Sequence, residues 1–469
     1  DNKRADQGEV QSTGDSVTIP LRAGGGRGTY LVSYRVISAD SHPISGGYSF
    51  SIGVPSATSA TVGLGGSAEV DPVVSVLIQV ARYLGFIGIA LVVGAVLFAS
   101  TLWPSRLPLP GKLVWTGVAL IAVSTVAGLY LQAPYATGSS LTNVSGDDLR
   151  AVLHEGRFGF AGQVRLAIVI ASIPFLHRVL SRKALRSDWI LLAILGVGAA
   201  FTWPFAGHPG ATSVPVMTVA ADMVHLLAMS VWIGGLVVLF AYLLPKGTES
   251  ELRALLPVWS RWAIWSVAVL AITGLAQSLI QVGALSELVD TRYGQLLLLK
   301  VGIFLLVLAL AAGARRMVRS GGVSLRGTVV TEMAGLALML AVTTVLVQTI
   351  PARTASTASV STGAPYAATA TSKHYRLLIN IDPGKLGNNS MHLYASTPDG
   401  KPIKVLKWKA TIALPSNNIE SIDVPLLPLS DDHTSGELTF PTAGAWRLSC
   451  TLLVSEVDQS TVTQIVNIS

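Results

Sequence analysis

From Met217 to Leu239 the chain is apolar enough to cross a bilayer, yet it carries Asp222 and His225 near the middle of that run. A charged side chain at mid-bilayer costs about 2.5–3.5 kcal/mol on insertion scales, so packing alone does not account for the pair. At roughly 100° per residue, Thr218, Asp222, His225, Met229 and Trp232 fall on one narrow stripe of a helix. That stripe offers a hydroxyl, a carboxylate, an imidazole and a thioether, one above another. It reads as a metal or proton site inside a membrane protein.

The rest of the 469 residues agrees with a membrane setting. The chain is 51% hydrophobic and only 13% charged, against about 25% charged in soluble proteins. The apolar excess lies between Val73 and Ile350, in candidate spans at about 73–99, 113–132, 160–177, 188–205, 217–244, 262–281, 295–313 and 328–349. The fold expected is a polytopic α-helical membrane bundle of eight transmembrane helices flanked by extracytoplasmic β-sandwich domains. Four alternate loops hold thirteen Lys and Arg, and the other three hold Arg150, Arg157 and Arg292. The positive-inside rule puts the basic set in the cytoplasm and both termini outside. An outer N-terminal domain needs an export signal on the precursor, so the chain reads as a processed or truncated form.

The domains expected are a partial β domain at 1–54, a linker at 55–71, the membrane domain at 72–350, a second linker at 351–372 and a β-sandwich at 373–469. The N-terminal strands are Val17–Leu21, Thr29–Ser38 and Gly47–Val54, with a turn at Gly24–Gly26. The formal charge of +7 follows from the loop bias, and no nucleic-acid motif or basic-aromatic patch accompanies it. Cys450 is the single cysteine, which excludes an intrachain disulfide and thiolate chemistry of the CxxC kind. No nucleotide-binding loop or reductase motif is present, so an enzyme is not expected.

Three constellations carry candidate chemistry. Asp40 and His42 lie two apart in an extended segment and point to one side, a carboxylate–imidazole set suited to Cu(II) or Zn(II). His208 sits before the fifth span, at its outer mouth, with Asp222 and His225 roughly 13–20 Å below it on helix rise alone. Met229 adds a thioether for Cu(I). Arg165 and Lys300 are alternative partners for Asp222, Arg82 is expected to snorkel outward, and Glu332 lies near an interface. Trp103, Trp189 and Trp203 read as interface anchors. His374, His392 and His433 read as scattered surface histidines.

The segments Gly28-Thr29-Tyr30, Ser33 through Pro43 and Gly46 through Phe50 resemble the C-terminal half of CopC copper-binding domains. That resemblance implies Asp40 and His42 as Cu(II) ligands. Ser41 stands where the family usually has glycine, and the family's N-terminal histidine ligand has no counterpart in this chain. Residues 72–350 resemble CopD through His208-Pro209, Asp222 with His225, Trp232 through Gly235, Thr273-Gly274, Tyr293-Gly294 through Lys300, and Glu332. The C-terminal domain is similar in pattern to YtkA-type sandwiches.

Together these imply a YcnJ-like CopC–CopD fusion of the bacterial cytoplasmic membrane, engaged in copper import or homeostasis. Its partners are the copper ion, the lipid bilayer and an extracytoplasmic copper chaperone or other membrane protein. The metal would be Cu(II) at the outer domain and Cu(I) within the membrane. Two other readings stay open: a b-type haem electron carrier, and a scaffold or assembly factor binding a protein through the outer β domains.

Overall fold

The computed structural model describes residues 5–7, 10–13, 16–22, 26, 28–38, 41–52, 70–319, 325–353, 366–382, 384–417 and 419–468. The chain divides into two compact units. One gathers Asp1–Tyr34, Gly46–Ser67 and Thr357–Ser469, and the other gathers Arg35–Ser45 and Ala68–Ser356.

The second unit holds eight helices long and apolar enough to cross a membrane, among the described residues. They are α1 Pro72–Thr101, α2 Gly111–Thr137, α3 Arg157–Leu180, α4 Arg186–Ala206, α5 Pro215–Lys246, α6 Glu249–Gln281, α7 Arg292–Arg319 and α8 Leu325–Gln348. Local chemistry sets their starts. Asp71 caps α1, its carboxylate accepting from Val73 N at 2.8 Å, with Pro72 in the first turn. Thr248 and Glu251 form a capping box at the start of α6. Most of these helices overrun the apolar run that marks them by a few residues; α6 starts at Glu249, well before the run expected from 262, and α8 ends at Gln348, within its expected run.

Small residues set how closely the helices approach. A Cβ on Gly234 of α5 would stand 1.9 Å from the Ala90 carbonyl oxygen of α1, and one on Gly94 would stand 2.4 Å from Gly234. A Cβ on Gly235 would meet the Trp259 ring at 2.1 Å. The Trp232-Ile233-Gly234-Gly235 run is therefore a contact surface that seats α5 against α1 and α6.

In the other unit, β1 Gln11–Thr13 pairs with β2 Ser16–Thr18. Strands β3 Gly28–Ile37 and β4 Pro43–Ile52 form a two-stranded sheet, of which Arg35–Ser45 belongs to the second unit. The expected strand Val17–Leu21 is shorter than read, with only an isolated bridge from Leu21 to Asp6 beyond it. Gly24 and Gly25 lie outside the described residues.

The C-terminal sandwich has two antiparallel sheets. One runs β10 Leu426–Ser430, β11 His433–Phe440, β7 Gly387–Ser396, β6 Arg376–Asp382, β5 Tyr366–Thr371. The other runs β13 Gln459–Ile468, β12 Gly444–Leu453, β8 Lys407–Leu414, β9 Ile419–Val424. Alternate residues such as Leu377, Ile379 and Ile381 face a core built round Tyr375, Phe440 and Trp446. Cys450 is fully buried in that core, and burial pushes its thiol up to about 12. Residues 366–371, read from sequence as linker, form β5; their Ala/Thr run carries no hydrophobic signal of its own and is held by pairing with β6.

Candidate metal centre

The 3₁₀ turn His208–Ala211 joins α4 to α5 and folds back into the helices. The Thr218 hydroxyl donates to the Pro209 carbonyl at 2.6 Å and also approaches Thr212 Oγ1 at 2.8 Å. Arg157 donates to the Gly210 carbonyl on the other side. Gly210 is required here, since a Cβ would stand 2.5 Å from the Phe205 carbonyl. This corrects the expected depth. The turn is pinned level with Thr218, one helical turn above Asp222, which is about 6 Å of rise. His208 is 7% exposed, buried rather than at a solvated mouth, and its ring acts electrostatically on Asp222.

The tip between β3 and β4 comes down on the same place. Ser38 N donates to His42 O and Ser41 N donates to Ser38 O, both at 2.9 Å. This closes a tight turn with Ser41 at φ 70°. That left-handed backbone is why a glycine suits the position. The Ser41 hydroxyl donates to Ala206 O at 3.1 Å, and Gln132 of α2 donates to Ser41 O at 2.9 Å. Arg35 donates to the Tyr135 carbonyl at 3.0 Å and to that of Ala136. His42, 5% exposed, then stacks on His208 with ring centroids 4.7 Å apart and planes 10° apart. Asp40 lies outside the described residues.

Below the stacked pair is a cavity of about 510 Å³ lined by His208, Asp222, His225, Met229, Lys300 and Tyr293, among others. Two rungs tie α5 to α6 across its wall. Gln277 Nε2 donates to Asp222 Oδ1 at 3.0 Å, and His225 Nδ1 lies 2.8 Å from Thr273 Oγ1. The Thr273 hydroxyl donates its one hydrogen to the Val269 carbonyl at 2.7 Å. It can only accept from His225, so Nδ1 carries the ring proton. Nε2 is then the nitrogen that presents a lone pair, the tautomer a metal ligand needs. Gly274 keeps the wall thin beside it: a Cβ there would stand 3.5 Å from His225 Cε1.

The neighbouring charges are arranged differently from the expectation. Arg165 donates to Thr202 Oγ1 at 2.8 Å and lies 3.7 Å over the Trp203 ring, so it is engaged away from Asp222. Lys300 acts electrostatically on Asp222 and His225, and no ion pair within 4.0 Å joins it to Asp222 among the described residues. Arg82 lines the cavity instead of snorkelling outward. Trp203 turns inward under Arg165 and is not an interface anchor. Thr218, expected on the ligand stripe, uses its hydroxyl on Pro209 and does not line the cavity.

Of the residues singled out from sequence, His208, Asp222, His225 and Met229 line one interior cavity, and His42 stacks on His208. Sequence reasoning missed Gln132, Gln277 and the role of Thr273. Met339 also lines the cavity, whereas Met217 is 64% exposed. Carboxylate, imidazole and thioether are donor types that suit copper, although no three His, Cys, Asp or Glu side chains are placed to hold one metal ion together among the described residues.

The fold defines a polytopic membrane protein with His, Asp and Met side chains around an interior cavity. The description "CopC domain" matches residues 1–53, "Copper resistance protein D-like, N-terminal domain" matches 73–215 and "Copper resistance protein D" matches 253–350. The copper transport protein CutJ of Bacillus subtilis (strain 168) is 25% identical over 437 residues, 86% of this chain and 75% of that protein. No solved structure matches. These matches support a CopC–CopD fusion with a copper-related function.

Proposed function

We propose that the protein imports copper across the bacterial cytoplasmic membrane, with both termini on the outer face. Copper is its cargo. Asp40 and His42 take Cu(II) at the tip between β3 and β4, His208 receives it, and Asp222, His225 and Met229 hold it in the cavity. A reduced ion favours the Met229 thioether, and reduction is the task of a separate component. The chain binds and passes the ion without converting it, either passively or coupled to a gradient through Asp222.

One observation carries this reading: the His42 ring stacked 4.7 Å from His208, which itself lines the cavity of the Asp222–His225 pair. Two imidazoles that close, from segments far apart in sequence, allow an ion to pass between them without returning to water. The basic loops support the orientation. CutJ, a copper transport protein by name, supports the cargo.

Copper accumulation in cells carrying wild-type protein, His225→Ala or His42→Ala tests the proposal. Import predicts that both variants fall to the level of cells lacking the protein. Accumulation unchanged in His225→Ala points to a scaffold, and accumulation raised in the variants points to export; either rejects it. A haem absorption band in the purified protein replaces it with electron transfer.

A further inference from the structure

Two of the three histidines read as scattered on the C-terminal sandwich are not scattered. His392 lies on β7 and His433 on the adjacent β11. The register sets His392 opposite Ser435 and His433 opposite Tyr394, so the histidines are diagonal neighbours on the outward face. The intervening Met391 and Leu393 point into the core and are fully buried. Ser435 is small and leaves the His392 ring room to lean across. His392 Nδ1 lies 3.1 Å from His433 Nε2.

The surroundings fix both rings. Tyr394 stacks on His433 with centroids 4.1 Å apart and planes 14° apart. The Ser390 hydroxyl lies 3.4 Å from the far nitrogen of His392. Asp382 acts on His392 and Asp432 on His433, and Asp432 is itself held by the Ser430 hydroxyl at 2.7 Å. Burial, then the proximity of His392, holds His433 down at about 4, and burial also lowers His392.

We propose that His392 and His433 form a second metal site, binding a divalent transition-metal ion through two imidazole nitrogens, with copper(II) preferred. Two nitrogens on one such ion at about 2.0–2.1 Å stand about 2.9–3.3 Å apart for angles from square-planar to tetrahedral. The 3.1 Å separation falls in that interval without movement of either strand. Binding needs the hydrogen shared by the two nitrogens to move to the far nitrogen of its own ring. For His392 that nitrogen faces Ser390 Oγ, which accepts it. No set of three or more His, Cys, Asp or Glu side chains is placed to hold a metal among the described residues. Water completes the coordination, which makes the site exchangeable and suited to loading and release. Copper(II) leads the divalent stability order at nitrogen sites. This site belongs to the unit that does not hold the cavity, and the proposal does not depend on import.

The test uses the full chain, purified in detergent, stripped with chelator and titrated with copper(II) chloride. Bound copper per chain is counted after gel filtration. His392→Gln and His433→Gln should each lose one copper relative to wild type, while His208→Ala/His225→Ala keeps it. A second measurement needs no variant. Copper(II) should protect His392 and His433 of the wild-type chain from diethylpyrocarbonate, read by peptide mass, and leave His374 modification unchanged. Equal stoichiometry in the variants, or equal modification of His392 and His433 with and without copper, overturns the proposal.

Discussion

At the scale of single residues, the centre depends on which hydrogen goes where. Thr273 fixes the His225 tautomer because its only proton is committed to Val269. Thr273→Val removes the acceptor, and supporting hydrogen bonds of this kind are worth about 10–100-fold in metal affinity. Copper titration of the purified protein should show a loss of that order for Thr273→Val and near wild-type binding for Thr273→Ser. Ser41 poses a second case. Its positive φ costs about 1–3 kcal/mol for a residue other than glycine, while its hydroxyl bond to Ala206 returns about 1 kcal/mol. Ser41→Ala keeps the strain and loses the bond, so its thermal midpoint should fall. Ser41→Gly should sit at or above wild type; a Gly variant less stable than the Ala variant contradicts this account. The charged and imidazole side chains of the cavity were legible in sequence because charge is rare in apolar spans. Gln132, Gln277 and Thr273 were not, since one neutral polar residue in a span carries no distinguishing pattern.

At the scale of elements, hydropathy made the eight helices legible, and periodicity placed Asp222, His225 and Met229 on one face. It could not foresee that the turn after α4 folds inward, because helix rise describes the helix and says nothing of a loop held by side-chain bonds. It also could not pair His42 with His208, segments that meet only through tertiary contacts such as Ser41 to Ala206. The seating of α5 on α1 rests on bare backbone. A methyl on Gly234 overlaps the Ala90 carbonyl, and overpacking of this kind costs about 1–3 kcal/mol or more. Gly234→Ala should therefore lower the unfolding temperature in detergent. Gly196→Ala, with open space at its Cβ, should leave it unchanged or raise it. Equal behaviour of the two variants removes the close-approach argument.

At the scale of the molecule, two units with separate cores divide the chain. The β-sandwich was legible from alternation and turn spacing, but β5 and β11 were not: both are rich in Thr, Ser, Ala or Gly and gain their place from neighbouring strands. Cys450 reports on the integrity of this core. Burial raises its thiol from the usual value of 9.0 to about 12, so the folded state keeps a proton that the unfolded state releases. The stability tied to that proton is complete below pH 9 and is lost as pH rises toward 12. At pH 8, maleimide should label Cys450 only after unfolding; rapid labelling of the native protein contradicts the packing described. The Thr273 arrangement reaches furthest. An imidazole that conducts hydrogen ions takes one up on one nitrogen and gives one up from the other, and here the second nitrogen faces the Thr273 hydroxyl, whose own hydrogen is spent on the Val269 carbonyl. On the import proposed above, a cavity wired in this way would take in a metal cation without relaying protons through His225 to short-circuit the gradient that energises the cell.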